Sequence, residues 1–111
     1  AYDLWLERNI KNATLVRSSG LDASLNQFID DKLEALAGLR PRLLSDVTKL
    51  PGARILDGQF TAVQQAVGTA KANQAGAAFL SVFVEEAKAN GRVAGFIERH
   101  HVRGLTVAPP A

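Results

Sequence analysis

Arg54–Lys71, RILDGQFTAVQQAVGTAK, decides how the chain is read, because it is the one long run with the composition of extended backbone. Ile55, Phe60, Thr61, Val63 and Val67 stand there among Gly58, Gly68 and Thr69, with helix-rich sequence on both sides. Branched and aromatic side chains fit a pleated, half-buried surface. A strand in that position can belong to two structural units at once, so the stretch is predicted to cross between them.

Toward the N-terminus, residues 2–11 carry apolar positions at helical offsets, with Asp3 and Glu7 early and Arg8 and Lys11 late, an order that suits the helix dipole. No Ser, Thr, Asp or Asn precedes this helix as a cap, so it reads as the continuation of a longer polypeptide. Thr14–Arg17 is predicted to be a short strand ended by Ser18-Ser19-Gly20. Asp22 or Ser24 then caps a helix to about Leu33, with Leu25, Phe28, Ile29 and Leu33 spaced by three and four. Periodicity leaves Leu33–Leu39 open between strand and helix, and its length and flanking Gly38 and Pro41 favour a buried strand. Arg40–Leu50 reads as a helix opened by Pro41 and stopped before Pro51-Gly52. This alternation of helix and strand predicts an α/β fold, a short mostly parallel sheet with helices across its faces.

Toward the C-terminus, Asn73 is the expected cap of a long helix to about Ala89, ended by Asn90-Gly91 in a left-handed turn. Val93, Phe96 and Ile97 mark a second, shorter helix. The tail GLTVAPPA is expected to be extended and frayed.

The 111 residues are one domain's worth of polypeptide. With 47% hydrophobic and 22% charged residues the chain is globular in composition. The pI near 9.3 reflects 13 basic against 11 acidic residues, and their dispersal argues against a nucleic-acid partner. Zero cysteines exclude thiol catalysis, disulfides and cysteine-based zinc sites.

No segment supplies a catalytic set, so the chain is not read as an enzyme, and no metal or cofactor is implied. Neighbouring His100 and His101 at a helix end point in different directions, and interaction with the helix C-terminus accounts for at least one of them. Gly68-Thr69-Ala70-Lys71 lacks the upstream glycine and the Lys-Ser/Thr ending of a phosphate loop. Asp30-Asp31 lies off its helix's apolar stripe and reads as a solvated face.

Four stretches, AYDLWLERNIKNATLVR, DKLEALAGL, ILDGQFTAVQQAVGTAK and AGAAFLSVFVEEAKANGRVAGFIERH, occur in the order found in one family. Together they cover nearly the whole chain, which resembles the C-terminal part of the extracellular solute-binding proteins of ABC transporters, in the branch that includes polar amino-acid binders. The resemblance implies a fragment of a periplasmic-binding-protein-like (type II) lobe, with ligand held in a cleft between two lobes. Residues 1–58 would form most of the second lobe, 59–71 the hinge or crossover strand, and 72–111 the helices that dock on the first lobe. It further implies a small-molecule solute and a membrane ABC permease as partners, with export to the periplasm by a signal peptide outside this chain. The alternative is a sensory ligand-binding lobe of a signalling or regulatory protein.

By the same resemblance, the ligand-binding residues are Ala1, Tyr2, Leu39 and Arg40. Ala1 and Tyr2 follow the place of a Gly-Ser or Gly-Thr pair whose amides meet a carboxylate. Leu39 falls where amino-acid binders carry the Asp that pairs with the ligand's ammonium group, and Glu34-Ala35 replaces the family's Asp-Ala. An ammonium group closed into a cleft without a counter-charge would carry several kcal/mol of desolvation penalty. The expected ligand is therefore a polar or acidic solute, with Arg40 either reading its charge or simply solvated near a helix start. Without a first lobe, Phe79, Val82, Phe83 and Phe96 would lie exposed together. The terminal helices then either fold back onto the partial second lobe or exchange between two chains, and a domain-swapped homo-oligomer is the expected result.

Overall fold

The structure, a computed structural model, describes residues 2–111. In order these form α1 (Tyr2–Asn9), α2 (Leu21–Asp30), α3 (Arg40–Asp46) with a 3₁₀ turn at Val47–Lys49, α4 (Gln74–Ala89) and α5 (Arg92–Arg99). No strand forms among the described residues, which corrects the expected α/β lobe with its parallel sheet. Thr14–Arg17, Leu33–Leu39 and the 54–71 stretch are irregular, and Val16, Leu56, Val63 and Val67 are exposed. The physical reason lies in what β-propensity measures: fit to a neighbouring strand and a half-buried face. Without those neighbours the same residues stay as coil, and Gly58 breaks the longest run with a backbone φ of 79°.

The chain divides into two compact units, one running through Val63 and the other Gln64–Ala111. In the first unit, α1 buries Leu6, while the ring of Trp5 lies 5.1 Å from that of Phe60 at 40°. Arg17 reaches back to α1, donating to Asp3 at 2.8 Å and pairing with Glu7 at 3.5 Å. Its hydrogen bond to Asp3 holds the guanidinium above the ordinary arginine pKa.

Neither Asp22 nor Ser24 caps α2, contrary to expectation. Gly20 takes the cap position at φ 99°, and the Ser24 hydroxyl instead bonds the Gly20 carbonyl at 2.9 Å. Asp22 is left free to accept from Arg42 on α3 at 2.6 Å, while Arg42 Nε lies 2.9 and 2.8 Å from the two oxygens of Asp46. Asp46 is the buried charged side chain of this unit, and a buried carboxylate persists only where it is paired and hydrogen-bonded. The paired guanidinium is correspondingly raised above its ordinary pKa, through Asp22 first and Asp46 second.

In the second unit, Asn73 caps α4 as predicted, its side-chain oxygen accepting from the Gly76 amide at 2.9 Å. Gly76 has to be small, since a Cβ there would overlap the Asn73 side chain. Gly91, at φ 80°, ends α4 in the left-handed turn read from the sequence and starts α5. Ala87 is the buried apolar residue of this unit, whereas Phe79 is 67% exposed, Val82 58%, Phe83 43% and Phe96 49%.

Candidate functional site

Leu39 and Arg40 form the corner where α3 begins. Leu39 holds the cap position in extended backbone (φ −73°, ψ 133°), so its carbonyl accepts from the Leu43 amide at 3.0 Å. Arg40, half-buried in the first helical position, donates from Nη2 to the Gly58 carbonyl. A guanidinium has five N–H donors in a planar fork, so this single bond leaves most of the fork for a carboxylate. Tyr2 lies half-buried in the first turn of α1, and Ala1 lies outside the described residues. No hydrogen bond or ion pair links Tyr2 to the Leu39–Arg40 corner among the described residues, so the sequence-predicted positions are placed but not joined into one polar site. Glu34, which by the resemblance stands in place of the Asp of Asp-Ala, is exposed.

A cavity of about 560 Å³ lies elsewhere, between α5 and the tail, and opens widely to solvent. Its floor is apolar, from Ile97, Val102, Leu105 and Val107, with His101 and Arg103 beside them. Tyr2, Leu39 and Arg40 do not line it. Among the described residues no group of three or more His, Asp or Glu side chains could hold a metal ion.

The backbone of the histidine pair closes α5. His100 is the cap residue of α5, and His101 follows in the left-handed region at φ 50°. The His101 amide bonds the Glu98 carbonyl and the Val102 amide bonds that of Ile97, each at 3.0 Å, the paired bonding of a Schellman turn. Lys32 closes α2 in the same way at φ 52°, with Leu33 bonded to Phe28 at 3.0 Å. Left-handed backbone costs an L-residue roughly 1–2 kcal/mol, which glycine avoids at some cost in unfolded-state entropy. Lys32→Gly and His101→Gly are each expected to raise stability by about 1 kcal/mol in urea denaturation. A loss at His101 would show that its imidazole is needed where it stands.

The tail is tethered, which corrects the expected fraying. Lys88 on α4 donates to Glu85 at 2.6 Å and to the Pro109 carbonyl at 2.8 Å, and the Ala111 amide donates to the other Glu85 oxygen at 3.3 Å. The Lys88 hydrogen bond, then that from Ala111, holds the Glu85 carboxyl below the usual glutamate pKa. A carboxylate depressed by folding stabilises the folded form fully above its unfolded value, about 4.3, and the contribution disappears as pH falls through the folded value. The Glu85 side-chain carboxyl carbon is therefore expected to titrate in NMR with a midpoint below that of free glutamate, and the midpoint to move up toward the free value in Lys88→Ala. A midpoint at or above the free value would mean that the tail does not bind Glu85 in solution.

The Arg42 pairing and the tail tether escaped sequence reasoning. Arg42 and Asp46 stand four apart, a visible helical pair, but nothing local marked Asp46 as buried or Asp22 as the third member. The chain matches no family model, no curated protein and no solved structure in the comparisons made.

Proposed function

We propose that this chain contributes to the substrate-binding component of an ABC importer, which captures a small polar or acidic solute in a cleft and delivers it to a membrane permease without chemical change. The observation that carries this reading is the order of the four stretches, which runs through nearly the whole chain. The Leu39–Arg40 corner supports the choice of solute. It offers a half-buried cation with spare donors and, at Leu39, an apolar residue where an ammonium group would need an acid. On this reading the protein works in the periplasm and Tyr2 lines the same cleft.

The test is a thermal-shift screen, followed by calorimetry, of a two-lobed protein carrying this sequence, against carboxylic acids, amines and neutral polar solutes. The expected result is micromolar binding of an acid or neutral polar solute, weakened ten- to a hundredfold by Arg40→Ala, the equivalent of losing a charged hydrogen bond. The 111-residue chain alone is expected to bind the same solute weakly or not at all. A two-lobed protein that binds none of the three classes overturns the reading.

A further inference from the structure

We infer that the exposed stripe of α4 is a self-association surface, on which a second copy of this chain packs antiparallel about a two-fold axis at the level of Ser81. The stripe consists of Ala75, Ala78, Phe79, Val82, Phe83 and Glu86, all exposed and all on one side of a 16-residue helix. Phe79 and Phe83 are stacked within the chain, ring centres 6.0 Å apart and 17° from parallel. They lie two residues before and two after Ser81, so an antiparallel copy centred there sets each Phe79 beside the other chain's Phe83. A two-fold interface has to be self-complementary in this way, and the arrangement joins two stacked pairs into a cluster of four rings.

The small residues at the N-terminal end and the acid at the C-terminal end fit the same register. Ala75 and Ala78 allow close approach of the helix axes. Glu86 comes level with Gly76 of the other copy, beside an α4 first turn that has no acidic residue of its own. An acid placed there meets the positive end of the helix dipole. The stripe presents on the order of 400 Å² per copy, against about 800 Å² per partner in a standard stable interface. The association is therefore a weak one, with dissociation in the micromolar range, and it involves side-by-side packing without exchange of helices.

Sedimentation of the 111-residue chain between about 5 and 300 µM tests the inference. The expected result is a mass-average rising from 11.9 kDa toward twice that value. Val82→Glu and Val82→Lys are each expected to remain monomeric throughout, with unchanged helical circular dichroism, and an equimolar mixture of the two to regain the dimer. Val82→Cys, a milder change in a chain without other cysteines, is expected to form a disulfide-linked dimer on oxidation. A wild-type chain monomeric at the highest concentration overturns the inference. So does a dimer indifferent to both charge substitutions, the behaviour of chains that exchange α4 and α5. If the charged variants unfold, failure of Val82→Cys to cross-link overturns it equally.

Discussion

Leu6→Ala is expected to destabilise the first unit by about 2–3 kcal/mol, the lower part of the range for removing a buried leucine, because exposed neighbours allow partial collapse into the space. Leu6 is 9% exposed, and no other apolar side chain described in this unit is buried. A unit of this size has roughly 3–9 kcal/mol to lose, so the substitution removes a large share of it. Trp5, the single tryptophan, stands next to Leu6 and against Phe60, so its fluorescence reports the docking of α1 directly. Urea titration should show a lower midpoint for Leu6→Ala with little change in slope, and a shift of less than about 0.5 kcal/mol for the exposed Leu4→Ala. Equal shifts would show that α1 is not docked on its Leu6 side in solution.

Leu39→Asp should have two effects of opposite interest. In the proposed cleft it supplies the missing counter-charge, and binding of amino acids relative to their deaminated analogues should improve by about 1.5–3 kcal/mol, the value of a hydrogen bond to a charged group. Position 39 also caps α3, where a carboxylate can accept from the Arg42 amide, since Pro41 has no N–H to offer. That bond stabilises the helix by about 1 kcal/mol and competes for the carboxylate, which places the ligand effect toward the lower end of its range. Calorimetry on the longer binding protein proposed above measures the first effect and thermal melting of the 111-residue chain the second. An unchanged ligand ratio beside a raised melting temperature would assign the residue to the helix start alone and place ammonium recognition elsewhere.

The helices were legible in the sequence because their signals are local. The Asn73 cap, the left-handed Gly91, Pro41 in the first turn of α3 and the three-and-four spacing of Leu25, Phe28 and Ile29 each act within one or two turns. The strands were misread because extended-chain residues report a preference that only a partner strand can satisfy, and Thr14–Arg17, Leu33–Leu39 and Arg54–Lys71 meet no partner strand among the described residues. Helix ends at Lys32 and His101 were hidden for a different reason: a left-handed residue is announced by glycine or asparagine, and neither occupies those positions. At the candidate site, Arg40 was visible as a charge beside a proline, but its bond to Gly58 spans 18 residues. No spacing rule anticipates such a contact.

The tether of the tail uses the carbonyl of Pro109 and the amide of Ala111, main-chain groups that every non-proline residue could present at those places. What Glu85 and Lys88 read is therefore the distance travelled by the chain after Val102, and not the side chains along it. Exchanging Thr106, Ala108 or Ala111 for other non-proline residues leaves both bonds in place, whereas inserting or deleting a single residue between Val102 and Pro109 carries both main-chain groups past their partners. In this segment spelling is free and length is fixed.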